Sequence, residues 1–211
     1  MTPVHRTWFL AAFRLHGMNW LRPRAVRRGG ICPGQGLVQA GDTGKVAALQ
    51  PFGYSGQGFS LRGEKGRFVL PPAFRKAVKE SSEGRVLCLA KHERWNCLTG
   101  FGLSRRVELE AQIDREEERA IRLNLEFDRD LRAMQLYGFI EVPFDDSGRF
   151  IMPEHLAELG RLEQGVYFQG AGSFFTLWNP AELYRMGEGW EGAQAACRML
   201  EADTLAKGKK A

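Results

Sequence analysis

The sequence predicts an α+β fold: two tandem β-rich modules with short helices, joined by a helical segment. Three observations predict it. First, Glu64-Lys65-Gly66-Arg67-Phe68-Val69-Leu70-Pro71 faces Asp146-Ser147-Gly148-Arg149-Phe150-Ile151-Met152-Pro153 without gaps, at an offset of 82 residues. Gly, Arg, Phe and Pro are identical, and the two positions before Pro are aliphatic or Met in both. Second, strand, turn, strand, Pro-started helix and two further strands follow in the same order around each copy, and such repetition is a fold-level signal. Third, residues 103–137 are rich in Glu, Arg and Leu and read as helix.

Ordered sequence is expected from about Phe52. Residues 53–61 alternate and suit a strand. Gly63-Glu64-Lys65-Gly66 makes a turn, and residues 67–70 form a second strand that Pro71-Pro72 stops. Proline is favoured in the first helical turn, where its missing N–H costs nothing, so residues 72–78 read as a short helix. Strands follow at 86–90 and 96–98. The helical stretch is expected to break near 124–128 and to end at Gly138. The second cycle then runs as strand 139–144, turn 145–148, strand 149–152, short helix 153–159, and strands 166–169 and 174–178. Pro180 opens a C-terminal helix that fades into Lys207-Gly208-Lys209-Lys210. The chain therefore divides into a first module at 51–101, a helical connector at 102–137, a second module at 138–186, and a C-terminal helix and polar tail at 187–211. Each module is too small to bury much surface alone, so the copies are expected to pair.

The 211 residues are 44% hydrophobic and 26% charged, enough for a real core. No apolar run approaches the ~20 residues that cross a bilayer, so no membrane span is expected. The net charge of +5 is unevenly placed. Residues 1–50 hold seven basic residues and one acid, Asp42, whereas residues 51–211 hold 23 basic and 24 acidic residues. The basic pI therefore belongs to the N-terminal segment, and any argument for DNA must rest on local clusters. That segment is Gly- and Pro-rich with little periodicity, and it is expected to be a disordered basic extension. Three readings of it stay open: an arm that touches DNA phosphates, a targeting-type segment, and translated upstream sequence from a misassigned start codon.

Cys32, Cys88, Cys97 and Cys197 form no C-x-x-C and no ligand ladder with histidine, so neither a metal nor a cofactor is expected. Cys88 and Cys97 lie in apolar stretches and read as small core residues. A reducing, cytoplasmic setting fits this cysteine usage. Glu116-Glu117-Glu118 point in different directions on a helix and read as a solvated face. No Ser/His/Asp order or phosphate loop is present, and His5, His16, His92 and His155 are scattered, so no enzyme is expected.

The repeated segment carries the functional reading. Its Gly lets the turn take a positive φ. The Arg that follows starts a strand at the rim of the sheet, and Phe and the two aliphatics fill the core. That Arg has two readings: a structural ion pair to the acid of its own turn, or a guanidinium presented to phosphates or guanine edges. Arg62, Lys65, Arg67, Arg75, Lys76 and Lys79 gather around the turn and helix of the first copy, offset by Glu64 and Glu80. Asp145, Asp146, Glu154 and Glu158 surround Arg149 in the second. The expected DNA-binding residues are Arg62, Lys65, Arg67, Arg75, Lys76 and Arg149.

At these residues the sequence resembles the MraZ family, bacterial regulators with two AbrB-like modules of the swapped-hairpin type. Its members carry D-x-x-x-R followed by hydrophobics and Pro in each copy. Asp145-Asp146-Ser147-Gly148-Arg149 matches fully, whereas Gly63 holds the Asp position in the first copy and Lys65-Gly66-Arg67 matches after it. The family's helix arginine matches Arg75 in the first copy and is Ala157 in the second. Phe175-Thr176-Leu177-Trp178 resembles the family's strand ending in Trp. The resemblance spans about residues 52–186 and omits residues 1–50. It implies a cytoplasmic, nucleoid-associated homo-oligomer, a ring, that binds short promoter repeats of double-stranded DNA and represses the division and cell-wall gene cluster. An AbrB-like antitoxin with a toxin partner is the alternative; two modules on one chain argue against it. A structural ring without nucleic-acid function is a further one.

Overall fold

The computed structural model describes residues 53–208. The readings made for residues 1–50, Cys32 and the last lysines lie outside the described residues. The first cycle comprises β1 (Gln57–Leu61), β2 (Arg67–Val69), α1 (Pro72–Ser81), β3 (Val86–Lys91) and β4 (Leu98–Phe101). The connector is α2 (Arg106–Arg122) and α3 (Arg129–Tyr137). The second cycle comprises β5 (Ile140–Pro143), β6 (Arg149–Ile151), α4 (Glu154–Leu159), β7 (Gly165–Gly170) and β8 (Phe175–Trp178). Two helices close the described chain, α5 (Pro180–Tyr184) and α6 (Glu191–Gly208).

The α+β class and the order of elements follow the expectation, and several boundaries move; α1, for one, runs to Ser81 and not to Val78. β1 begins at Gln57 because Gly56 takes φ +87, and Tyr54 reaches the second cycle by a single bridge to Gly172. β4 begins at Leu98 because residues 92–97 form a loop: the His92 Nδ1 accepts hydrogen bonds from the backbone N–H groups of Arg94 and Trp95, at 3.1 and 3.2 Å. The single C-terminal helix is in fact two. Gly189, at φ +91, breaks it, and its N–H donates to the Glu191 carboxylate at the start of α6.

The two cycles are interleaved. Six antiparallel strands form one sheet in the order β1-β7-β8-β4-β3-β5, and β2 and β6 form a separate ribbon. Exchanging the cycles maps β1 onto β5, β7 onto β3 and β8 onto β4, so the strand order reads the same in both directions. A pseudo-twofold axis therefore runs through the β4–β8 pair at Thr99 and Thr176 and through the ribbon at Phe68 and Phe150. Each cycle supplies an outer strand to the half of the sheet built on the other: β1 pairs with β7, and β5 with β3.

The main core lies between these layers. Phe74 of α1 packs on Phe175 and Phe168 of the second cycle, with ring centroids 4.8 and 6.1 Å away. A second cluster forms where α6 covers β1 and β7; Cys97, Tyr167, Trp178, Leu183 and Cys197 are buried there. Cys88 and Cys97 are core residues, as expected. On the connector, Glu116 and Glu117 face α3. Arg129 binds Asp114 and Glu117 at 2.8 and 2.6 Å and also meets Glu110, while Arg132 binds Glu116 and Glu93 at 2.5 and 2.7 Å. The side chain of Asp128 caps α3 by accepting from the Leu131 N–H at 2.9 Å, which restarts the helix after the break.

Candidate nucleic-acid interface

The β2–β6 ribbon sets the site. Its register places Arg67 opposite Ile151, Phe68 opposite Phe150 and Val69 opposite Arg149. Opposed residues in an antiparallel pair share a face. Phe68 and Phe150 are 2% exposed and point into the core. Arg67, Val69, Arg149 and Ile151 therefore all point outward, and Val69 and Ile151 are 43% and 55% exposed. The two arginines sit on a diagonal, with Cα atoms about 7–8 Å apart. The expectation that both residues before Pro fill the core holds for Leu70 and Met152 and fails for Val69 and Ile151, which lie exposed between the two arginines. Strand alternation carried that signal, since Val69 and Ile151 lie two residues beyond each Arg.

The two turns share a backbone design and differ in one carboxylate. Gly66 and Gly148 take φ +69 and +82. The Gly63 N–H donates to the Arg67 carbonyl at 2.8 Å, as the Asp145 N–H does to Arg149 at 3.0 Å. In the second turn the Asp145 carboxylate accepts from the Ser147 and Arg149 N–H groups, both at 2.9 Å, and from the Arg149 Nε at 2.7 Å. The backbone and side-chain hydrogen bonds from Arg149 hold the Asp145 carboxyl below the usual carboxylate range. In the first turn Gly63 replaces that acid. Among the described residues Arg67 joins no ion pair, and its exposed guanidinium is unclaimed. The two readings of the repeated Arg thus separate: Arg149 forms the turn ion pair, and Arg67 does not.

Interleaving also redistributes the basic side chains that gather in sequence. Arg62 and Lys65 stay with the first turn, where the Arg62 guanidinium lies beside Gly66 and Lys65 takes φ 57. Helix α1 instead packs against the second turn. The Leu70 N–H donates to the Gly148 carbonyl at 2.8 Å, and the Arg75 Nη1 donates to the Asp146 carbonyl at 3.3 Å. Arg75, Lys76, Lys79 and Arg85 line a cleft of about 270 Å³ with Asp145 and Asp146, and Arg85 pairs with Asp146 at 3.0 Å. The acids of the second turn are therefore set against the cations of α1. Arg85 escaped the sequence reading, because only the fold brings it to the second turn.

The chain is similar to proteins named transcriptional regulator MraZ. It is 32% identical over 120 residues to the one from Rhodospirillum rubrum, which covers 56% of this chain and 74% of that protein. This chain belongs to the MraZ family. Identity is 29% over 127 residues to the MraZ of Methylococcus capsulatus, covering 60% of this chain and 79% of the relative. For the MraZ of Gluconacetobacter diazotrophicus it is 27% over 149 residues, covering 69% and 87%. No protein-family model matches the chain. The MraZ relatives are named as regulators of transcription and not as enzymes. No helix among the described residues is long and apolar enough to cross a membrane.

Proposed function

We propose that this chain is a sequence-specific regulator that binds short promoter repeats in double-stranded DNA as a homo-oligomer, with the outer face of the β2–β6 ribbon as its reading surface. The observation that carries this reading is the exposed Arg67–Val69–Arg149–Ile151 face. A two-stranded ribbon fits the major groove, guanidinium groups match guanine edges, and aliphatic side chains suit the thymine methyl. Arg62 and Lys65 at one end, and Arg75 and Lys76 at the other, supply phosphate contacts that fix register without reading sequence. The membership in the MraZ family supports the regulatory role. In this reading the two cycles are tandem AbrB-like modules of the swapped-hairpin type, at 51–101 and 138–186, with the connector at 102–137. The regulator acts in the cytoplasm on the nucleoid, in a ring whose repeated weak contacts add through multivalency. Its target is the division and cell-wall gene cluster, which it represses.

The test is a gel-shift titration of the full chain with the region upstream of its own gene, beside Arg67→Ala. Loss of one base-reading arginine is expected to weaken specific binding roughly tenfold to a hundredfold while the variant stays folded. Unchanged binding by the variant, or no binding by the parent chain, overturns the reading.

A further inference from the structure

A cavity of about 230 Å³ lies away from the ribbon, between the loop after β3, strand β4, the loop before β8 and the two connector helices. At ~30 Å³ per water, that is room for roughly eight waters. Phe101, Leu109, Leu136 and Phe174 supply apolar walls. The cations on its lining are Lys91, Arg94 and Arg105. The one carboxylate there, Glu93, is already bound to Arg132 at 2.7 Å.

Arg105 is the unusual group. Its guanidinium lies between two aromatic rings, 5.1 Å from the centroids of both Phe101 and Phe174. Nη1 donates to the carbonyl and hydroxyl oxygens of Ser173, at 3.2 and 3.4 Å. The ion pairs among the described residues do not include it. Burial lowers its pKa, and the more distant charges of Glu108 and Glu93 offset that only in part, which marks a partly desolvated cation with no ion-pair partner among the described residues. Lys91 is differently placed, because its ammonium is spent on the carbonyls of His92, Trp95 and Cys97.

We infer that this cavity binds a small organic monocarboxylate with an apolar or aromatic body, its carboxylate held by Arg105. The Nε and Nη2 edge of the guanidinium is a planar fork that matches a carboxylate. A desolvated cation gains most from an anion placed against it. The four apolar walls favour a hydrocarbon body over inorganic phosphate. A ligand there touches β4, α2 and α3 together, so it clamps the helical connector onto the sheet. The inference does not depend on the DNA reading.

The test uses the full chain with sodium phenylacetate, benzoate and isovalerate, by calorimetry and thermal unfolding. At least one is expected to bind with a Kd of about 1 mM or tighter and to raise the Tm. The neutral isosteric amide, and acetate without the apolar body, are expected to bind at least about tenfold more weakly. Arg105→Gln should lose the binding. Because that change also removes two aromatic contacts, Leu136→Trp serves as a second variant, which keeps Arg105 and fills the cavity; it should lose the binding too. Absence of binding by all three acids, equal binding by an amide, or undiminished binding by the Leu136→Trp protein overturns the inference.

Discussion

Phe68 of β2 and Phe150 of β6 lie opposite each other across the ribbon, with ring centroids 6.3 Å apart. They are equivalent positions of the 82-residue repeat, so the pseudo-twofold axis passes between them. Each ring packs in a core to which both cycles contribute. Phe68→Ala is expected to destabilise the protein by about 3–5 kcal/mol. Because the strands interleave, the loss should appear as one urea transition moved to lower denaturant. Two separated transitions would show that the cycles fold independently.

The two turn glycines should respond unequally to alanine. At Gly148, φ is +82, and an added Cβ would lie 2.9 Å from both the Arg75 Cδ and the Leu70 carbonyl oxygen. At Gly66, φ is +69, and the nearest atom is 3.5 Å away, on the flexible Arg62 side chain. Gly66→Ala is expected to cost about 1 kcal/mol of backbone strain, and Gly148→Ala about 2–3 kcal/mol, because the carbonyl cannot step aside. Equal shifts in the unfolding midpoint would contradict this difference.

Most elements were legible because their signals are local. Pro72 starts a helix, Gly66 and Gly148 permit turns, and Gly138 stops the connector. The exchange of β1 and β5 between the cycles was not legible, since periodicity says which face of a strand is buried and nothing about which distant strand it pairs with. The same exchange placed α1 against the second turn and brought Arg85 into the site. The unpaired state of Arg67 was half visible: Gly63 stands where Asp145 stands in the other copy, but only the hydrogen bonds of Asp145 show what the missing carboxylate does.

The connector should loosen in acid. Hydrogen bonding from Arg132 holds the Glu116 carboxyl below its ordinary pKa of 4.5. A depressed folded pKa contributes stability that is complete above the ordinary value and is lost as pH falls through the folded one. The pair is partly exposed, so its worth is about 1 kcal/mol or less. Arg132→Met is expected to destabilise the protein by that amount near neutral pH, and the difference should shrink as pH falls below 4.5 and through the folded pKa of Glu116. A difference that stays constant over that range would place the effect in packing and not in charge.

The buried thiols should be inert in the folded protein. Burial pushes Cys88 and Cys97 up to about 12, and raises Cys197 as well. Reactivity follows the thiolate. In a Cys32→Ser background, a thiol reagent at pH 8 should modify none of the three until urea unfolds the chain, and then all three together. A rapid first phase would contradict the burial of Cys97 and of Cys197, which lies on the inner face of α6, in their shared cluster.

The claim that the ribbon's outer face reads DNA is tested most directly by the affinity of the full chain for its own upstream region, and for an unrelated duplex, across a range of salt. The parent chain should prefer its own region, with log affinity falling linearly in log salt. Arg67→Ala should lose that preference while its salt slope changes by no more than about one, because the contact is to a base. If the variant keeps its preference, or if its affinity falls equally on both duplexes, Arg67 does not read sequence and the central claim fails.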